Sequence, residues 1–137
     1  MPELIHELTT AQIEELRTLY QDQWWSEGRE TKDVQDMLDQ CNLVFGFVDQ
    51  GKLVGFARVL SDFIEKTLIF DVFIGKKHQG RGLGRAMVEA ILNHPMLSKT
   101  KFCELYCEPE MVGFYKRFGF TSLDCEGDMT FMRRPLP

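Results

Sequence analysis

The sequence has too little basic charge for a protein that binds nucleic acid or a membrane surface. Its 137 residues include 16 lysines and arginines against 21 aspartates and glutamates, so the net charge is −5 at pH 7. Binding to nucleic acid or to an anionic membrane requires a broad basic surface. We therefore expect neither partner, and we expect any anionic ligand to be held at one local site.

An export signal and a long apolar run are also missing. The first residues include Glu3, His6 and Glu7, whereas a secretory signal has a basic segment followed by an apolar one. No stretch is apolar for long enough to cross a bilayer. The cysteines show no pairing of the kind that would indicate an oxidising compartment, so the cytoplasm is the expected location.

Cysteine and histidine are too scattered for a metal site. No two of the four cysteines have CxxC spacing, and the three histidines are far apart in the sequence. Cys103 and Cys107 share one face of a predicted strand, which favours buried thiols over metal ligands. We expect no metal cofactor.

No repeat, linker or low-complexity segment interrupts the chain, so residues 1–137 are predicted to form one domain. Thr9 and Gln12 have the spacing of a helix-capping box, and a second helix is predicted after Thr31. Two further helices are predicted at Gly82–Asn93 and Glu110–Phe118. The predicted strands are Ile5–Leu8, Leu43–Asp49, Leu53–Leu60, Thr67–Ile74, Phe102–Cys107, Phe120–Leu123 and Met129–Arg133.

The order of these elements predicts an α/β (α+β) fold with a mixed central sheet. The turn Gln50-Gly51-Lys52 is short enough to force an antiparallel hairpin. The helix at Gly82–Asn93 is a crossover, which makes the strands before and after it parallel. The residues predicted to be apolar core are Phe45, Phe47, Phe56 and Phe70 in the strands and Val34, Met37, Leu38 and Cys41 in the second helix.

One segment is suited to binding an anion. Residues 79–85 read Gln79-Gly80-Arg81-Gly82-Leu83-Gly84-Arg85 and lie between a predicted strand and a predicted helix; we call them the glycine loop. Glycines at alternate positions let the backbone turn sharply and approach a ligand closely. The N-terminus of the helix offers unpaired N–H groups, and Lys77, Arg81 and Arg85 add positive charge. These features describe a site of pyrophosphate size.

From the residues alone, a solvated glycine-rich turn is an equal alternative. Two other phosphate-binding motifs do not fit. A Walker A loop ends in GKS or GKT, whereas this segment continues Gly84-Arg85-Ala86. A dinucleotide-binding fingerprint needs GxGxxG, and counting from Gly80 its last glycine position is occupied by Arg85.

Two motifs resemble those of the GCN5-related N-acetyltransferases (GNAT). QGRGLG at residues 79–84 matches the Q/R-x-x-G-x-G/A motif of that family and follows an apolar strand, as it does there. The later run GFYKRFGF, residues 113–120, resembles the second signature, a helix that carries a tyrosine and ends in Gly-Phe. The resemblance covers residues 43–120. It implies the GNAT fold and transfer of an acetyl group from acetyl-CoA to an amine.

The resemblance also implies which residues hold the co-substrate. Backbone groups of Val72, Phe73 and Ile74 would contact the pantetheine arm, and one of their N–H groups would stabilise the oxyanion. Main-chain N–H groups of the glycine loop would hold the pyrophosphate. A gap between this strand and Phe102–Cys107 would admit the thioester.

Tyr115 is a candidate for the general acid that protonates the leaving thiolate. By the resemblance it matches the family's acid, in a reaction in which a neutral amine attacks the thioester directly. The alternative is a tyrosine that packs on its own helix with Met111 and Phe118.

Two carboxylates are further candidates. Asp71 interrupts an apolar strand, where a charge needs a partner. It could hold or deprotonate a cationic amine, as a similarly placed acid does in polyamine-acetylating relatives, or it could form an ion pair with Arg58. Glu108 stands where many relatives have asparagine and is a weaker candidate base; alternatively it caps the helix that follows.

The acceptor side is the least defined. Trp24, Trp25 and Arg29 lie between the first two helices, in a loop that often lines the acceptor site of the family. The tryptophans could stack on an aromatic or cationic acceptor, cover the sheet or form a dimer contact. The expected acceptor is a primary amine of a small molecule. A peptide acceptor, a non-catalytic acyl-CoA-binding module and a homodimer are left open.

Overall fold

A computed structural model describes residues 2–22, 28–123 and 129–136 of the chain. The helices are α1 (Thr10–Gln21), α2 (Thr31–Gln40), α3 (Leu83–Leu92) and α4 (Val112–Lys116). The strands are β1 (Glu3–Ile5), β2 (Leu43–Asp49), β3 (Lys52–Ser61), β4 (Lys66–Ile74), β5 (Phe102–Cys107), β6 (Thr121–Ser122) and β7 (Thr130–Pro135). Within the described residues the strands form one sheet in the order β1-β2-β3-β4-β5-β7-β6.

The chain divides into two compact units. The first contains Met1–Arg58 and Asp71–Glu89, and the second contains Val59–Phe70 and Ala90–Pro137. The single-domain organisation predicted from the sequence stays a prediction. None of the described helices is both long and apolar enough to pass through a bilayer.

Helix α1 of the first unit begins at the predicted capping box. The Gln12 N–H donates to the Thr9 hydroxyl at 3.2 Å, and the Thr9 N–H donates to the Gln12 side chain at 2.9 Å. These two bonds satisfy N–H groups that a helix N-terminus leaves without an intrahelical acceptor. The inward face of α1 places Ile13, Leu16 and Tyr20 in the core.

The core of the first unit forms where α1 and α2 meet residues of β3 and β4. Its buried members are Ile13, Leu16, Tyr20, Val34, Leu53, Phe56 and Phe73. The turn between β2 and β3 has positive φ at both Gln50 (51°) and Gly51 (79°), the pattern of a tight two-residue hairpin. The predicted hairpin is therefore confirmed.

The second unit contains the parallel strand pair that makes the sheet mixed. Lys66 to Ile69 of β4 pair in parallel with Phe102 to Leu105 of β5, as predicted. This ladder ends at Ile69 and Leu105, although β4 continues to Ile74 and β5 to Cys107. Strand β5 pairs on its other side with β7, in antiparallel orientation. The mixed-sheet fold class is confirmed.

Several predicted boundaries are wrong, most clearly at β1 and α4. Strand β1 spans Glu3–Ile5 and not Ile5–Leu8, because the chain must leave the sheet before the α1 cap at Thr9. The helix predicted at Glu110–Phe118 is a 3-10 turn at Pro109–Met111 followed by the short α4. Its C-terminal end tightens into i to i−3 hydrogen bonds before Gly119, whose φ is 90°.

One core prediction needs correction. Phe45, Phe47 and Phe56 are buried as predicted, but Phe70 is only half-buried. In the predicted apolar stripe of α2, Val34 is buried, and the half-buried Met37 and Leu38 pack against the core. Cys41 is half-buried as well. Cys103 and Cys107 are buried thiols, as predicted.

Replacing Thr9 by alanine should remove the capping bond that the Thr9 hydroxyl accepts from the Gln12 N–H, while the backbone N–H of residue 9 stays in place. We expect Thr9→Ala to lower the free energy of unfolding by about 1 kcal/mol, measured by urea denaturation. Thr10→Ala is the matched control, because Thr10 is exposed and lies one residue into the helix. The control should stay within about 0.5 kcal/mol of the wild type. Equal losses in the two variants would contradict the assignment.

Candidate active site

The glycine loop has a backbone that only glycine adopts readily. Gly80 has φ 78° and Gly82 has φ 80°, both in the left-handed region that side chains disfavour. A Cβ added at either position would meet nothing within 4 Å. Glycine is therefore needed for the backbone conformation and not for lack of room. The space beside these two residues is open.

The glycine loop leads directly into α3. The Ala86 N–H donates to the Gly82 carbonyl at 3.0 Å, which is the first hydrogen bond of the helix. The N–H groups of Leu83, Gly84 and Arg85 consequently have no acceptor within the helix. Leu83 is 3% exposed and anchors this end of α3, while Gln79 to Gly82 are exposed. The loop thus presents backbone N–H groups beside open space.

Two hydrogen bonds fix the loop to the sheet. The Gln79 side-chain amide donates to the Ile74 carbonyl at 2.9 Å. The Gly75 N–H donates to the Val54 carbonyl at 2.8 Å. Gln79 therefore connects the end of β4 to the start of the glycine loop. The Ile74 carbonyl, predicted to serve the pantetheine arm, already accepts this bond.

Positive charge around the loop is partly compensated. Arg81 is exposed, and its guanidinium forms no ion pair with a carboxylate in the part of the chain that the structure describes. Arg85 pairs with Glu89 one turn along α3, with 2.9 Å between Nε and Oε1. An exposed pair of this kind contributes little energy, so Arg85 remains available to an anion.

The predicted acyl-arm segment of β4 is partly core. Val72 and Ile74 are half-buried, whereas Phe73 is 8% exposed. The Phe73 ring packs edge-on against Tyr20, with 5.2 Å between centroids. The side chain of Phe73 therefore belongs to the core, and only its backbone is a candidate ligand group.

Asp71, in the same strand, is the centre of a polar cluster in the first unit. Its Oδ2 accepts from the Arg58 Nε at 2.6 Å and from the Tyr20 hydroxyl at 2.7 Å. Arg29 Nη1 lies 3.8 Å from the same oxygen, and its guanidinium carbon is 4.6 Å from the centre of the Tyr20 ring. We call Tyr20, Arg29, Arg58 and Asp71 the Asp71 cluster. The predicted ion pair with Arg58 is confirmed.

Burial and charge in the Asp71 cluster shift the pKa values of Tyr20 and Arg58. Burial, and then the negative charge of Asp71, raises the pKa of Tyr20 well above its usual range. Burial alone would lower the pKa of Arg58, but the hydrogen bond and charge of Asp71 raise it overall. Tyr20 therefore stays a neutral donor and Arg58 a cation at physiological pH.

Tyr20 is the member of this site that sequence reasoning missed. It has helical spacing from Ile13 and Leu16 and lies with them on the inward face of α1, with 0% exposure. Its partner Asp71 is 51 residues away in the sequence, so no local pattern joins them. The only available signal was a buried phenol, whose hydroxyl needs a hydrogen-bond partner.

Tyr115 and Glu108 lie in the second unit. Tyr115 is 5% exposed, and its ring contacts Phe114 at 5.0 Å and Phe120 at 5.9 Å. Neither of these two rings is Phe118, and packing of Tyr115 against Met111 stays a prediction. Burial, with a smaller effect of Cys107, raises the pKa of Tyr115 above its usual range. The acid role of Tyr115 stays a prediction.

The Glu108 side chain does not cap the helix that follows. Glu108 occupies the N-cap position of the 3-10 turn at Pro109–Met111, yet it makes no side-chain capping bond. Its charge helps to raise the pKa of Cys107, after the larger effect of burial, to about 11. The capping alternative is thus wrong for the side chain, and the role of Glu108 as a base stays a prediction.

The three predicted acceptor residues have different outcomes. Trp24 and Trp25 lie outside the described residues. Arg29 belongs to the Asp71 cluster and also donates to the Met37 sulfur at 3.2 Å. Its position beside Asp71 was not foreseen, and its predicted role toward an acceptor stays a prediction. Within the described ranges, no group of three or more His, Cys, Asp or Glu residues could hold a metal ion.

Curated relatives match part of this chain. An uncharacterized N-acetyltransferase, ycf52, from Pyropia yezoensis is 32% identical over 96 residues, covering 67% of this chain and 55% of the relative. A protein named serotonin N-acetyltransferase 2, chloroplastic, from Oryza sativa subsp. japonica is 37% identical over 70 residues, covering 51% of this chain and 35% of the relative. The chain spans about half the length, or less, of these relatives.

A solved structure matches nearly the whole chain. It is a protein from Xanthomonas campestris pv. campestris whose description places it in the GNAT family. It is 30% identical, covers 93% of this chain and 96% of its own, and has a TM-score of 0.76. The family model for the acetyltransferase (GNAT) family matches residues 10–120, which include the glycine loop, the Asp71 cluster and Tyr115. The chain belongs to the GNAT family of N-acetyltransferases.

Proposed function

We propose that this chain transfers an acetyl group from acetyl-CoA to a primary amine of a small molecule. The observation that carries the proposal is the glycine loop, with left-handed Gly80 and Gly82 beside the N-terminus of α3. Backbone N–H groups at such a junction favour a bound anion. The loop contains no carboxylate that would repel a diphosphate. The residues present therefore fit the pyrophosphate of coenzyme A.

The residues have distinct roles in this proposal. N–H groups of the glycine loop hold the pyrophosphate, with Arg81 and Arg85 adding charge. Backbone groups of Val72, Phe73 and Ile74 orient the acyl arm. Acetyl-CoA supplies an activated thioester: the amine nitrogen bonds to the acetyl carbon, the carbon–sulfur bond breaks, and the nitrogen loses a proton while the thiolate gains one.

A small amine is favoured as the acceptor for two reasons. The net charge of −5 attracts a cationic amine over long range. The rice relative is named for serotonin, a small amine, although only 51% of this chain takes part in that match. Trp24, Trp25 and Arg29 are the residues proposed to contact the acceptor. Tyr115 is proposed as the acid, and Glu108 or a water molecule as the base.

An acceptor screen tests the activity. The protein is incubated with acetyl-CoA and a panel of small amines and lysine-containing peptides, and free thiol and acetylated product are measured. Release of thiol with small amines supports the proposal. Release with peptides alone would identify a protein acceptor. Tight binding of CoA without turnover across the panel would identify a non-catalytic module.

Alanine at Gly80 or Gly82 should weaken CoA binding. A side chain at positive φ costs about 1–2 kcal/mol, so we expect a dissociation constant about fivefold to thirtyfold higher, measured by calorimetry. Gly51→Ala is the matched control, because Gly51 has φ 79° and open space around it but lies in the β2–β3 turn. A similar loss of affinity in Gly51→Ala would contradict a local role of the glycine loop.

Tyr115→Phe should lower kcat while leaving the KM for acetyl-CoA nearly unchanged. General acids commonly contribute about a hundredfold or more. We expect a loss of about a hundredfold or less, because burial raises the pKa of Tyr115 and makes the phenol a weaker acid. Phenylalanine keeps the ring contacts with Phe114 and Phe120. Unchanged turnover across the pH range would remove Tyr115 from the mechanism.

The same variant tests the burial of the Tyr115 hydroxyl. Below about pH 10 the phenol is neutral in both the folded and unfolded states. At higher pH the unfolded phenol ionises while the buried one stays neutral, so the wild type loses stability relative to Tyr115→Phe. Between about pH 8 and about pH 11 the difference in unfolding free energy should change by about 1 kcal/mol in urea denaturation. A constant difference would contradict a raised pKa for Tyr115.

A further inference from the structure

Asp71 has an unusual backbone for a residue inside a strand. Its φ is 58°, in the left-handed region. The other non-glycine residues with positive φ in the described part of the chain, Gln50 and Phe63, lie in the turns that follow β2 and β3. For an L-residue this conformation is unfavourable, because the Cβ comes close to the following carbonyl oxygen. Something must hold it, and irregular strand backbone of this kind is frequent next to active sites.

The side chain of Asp71 is held from two different elements. Tyr20 reaches it from α1 and Arg58 from β3, with 2.7 Å and 2.6 Å to the same carboxylate oxygen. Hydrogen bonds to a charged acceptor are short and strong. The Asp71 and Arg58 side chains are only 10% and 15% exposed, so water screens this contact weakly. The carboxylate is therefore fixed relative to both neighbouring elements.

The strand after Asp71 is fixed at its other end too. Gly75 bonds to Val54 of β3, and Gln79 bonds to the Ile74 carbonyl. A Cβ on Gly55 would come within 2.8 Å of the Ile74 side chain, so β3 leaves room for Ile74 only by having glycine there. Val72 to Ile74 are thus held between two fixed points.

We propose that Asp71 is a positioning residue. Its carboxylate, held by Tyr20 and Arg58, fixes the left-handed backbone of β4. The backbone groups of Val72–Ile74 are thereby directed at the acyl arm of the co-substrate. This inference rests on the proposed function. Tyr20 and Arg58 both bond to Oδ2 of Asp71, and removal of a proton from the amine by Asp71 is the competing role that the substitutions below separate.

The inference separates the two ends of coenzyme A. The glycine loop holds the pyrophosphate, and the Asp71 clamp acts only on the segment for the pantetheine and acyl end. A variant that loosens the clamp should therefore weaken the binding of acetyl-CoA but not the binding of 3′-phospho-ADP, which is the nucleotide part of coenzyme A without the arm. A defect in the glycine loop should weaken the binding of both ligands.

Tyr20→Phe is the first test, because it removes one hydrogen bond from the clamp without changing β4. We expect acetyl-CoA to bind about threefold to tenfold more weakly by calorimetry, the usual range for one lost hydrogen bond. The affinity for 3′-phospho-ADP should not change. Tyr106→Phe is the matched control, since Tyr106 is 56% exposed and belongs to the second unit. It should leave both affinities unchanged.

A second control separates positioning from a general loss of stability. Glu104 is a buried carboxylate, 2.7 Å from Arg133, in the second unit. Glu104→Gln should lower the midpoint of urea denaturation without altering either affinity. If Tyr20→Phe lowers the affinity for both ligands equally, or for neither, Asp71 is not a positioning residue. If the wild type binds neither ligand, the proposed function itself fails, and this inference fails with it.

Substitutions of Asp71 test the backbone directly. Asparagine tolerates the left-handed region and still accepts a hydrogen bond, glycine adopts the backbone without a clamp, and alanine does neither. The acetyl-CoA dissociation constant should therefore rise in the order Asn, Gly, Ala. With an acceptor from the screen, Asp71→Asn should keep kcat within about tenfold. An equal loss of about a hundredfold or more in all three would instead assign Asp71 as the base.

Discussion

The proposed anion site depends on the backbone path by which the chain passes from β4 into α3. A strand that runs straight into a helix would bury the N–H groups at the helix N-terminus or point them away from a ligand. Here Gly80 and Gly82, at φ 78° and 80°, turn the backbone just before α3, and a Cβ on either residue would enter open space. The bonds from Gly75 to Val54 and from Gln79 to Ile74 keep the turn in place. The anion site that we propose is therefore made mainly of backbone groups.

A site made of backbone N–H groups explains how an acidic protein can hold a diphosphate. With a net charge of −5, the surface as a whole repels anions. Amide dipoles and the N-terminus of α3 attract an anion only over the first turn of the helix. Arg81 and Arg85 add charge at the same place, and their effect weakens over about 8–10 Å in physiological salt. Affinity for the nucleotide can thus coexist with attraction of a cationic acceptor.

Local features of the structure could be predicted from the sequence, and long-range ones could not. Strands β2 and β5 begin and end where the apolar pattern places them, and the capping box at Thr9 is found as predicted. These features depend on residues a few positions apart. The helix predicted at Glu110–Phe118 is longer than α4, because Pro109 starts a 3-10 turn and the hydrogen bonds tighten before Gly119, two effects that the helical period does not contain.

In the candidate site, too, local features could be predicted from the sequence and long-range contacts mostly could not. The glycine loop was recognised because its residues are contiguous. The partners of Asp71 were only half recognised: Arg58 lies 13 residues away on the neighbouring strand and was foreseen, whereas Tyr20 lies 51 residues away on a helix and was not. A strand periodicity cannot show that a residue in it has a left-handed backbone either.

The left-handed backbone of Asp71 explains why a charge stands in an apolar strand. An apolar residue would avoid the cost of desolvation, and replacing a buried ion pair by apolar residues is often neutral or stabilising. Such a residue would, however, adopt φ 58° only with strain, whereas aspartate and asparagine tolerate it better. A residue suited to this backbone then brings a carboxylate into the core, and a buried carboxylate needs donors. The hydrogen bonds from Tyr20 and Arg58 to Asp71 thus follow from the backbone conformation of β4.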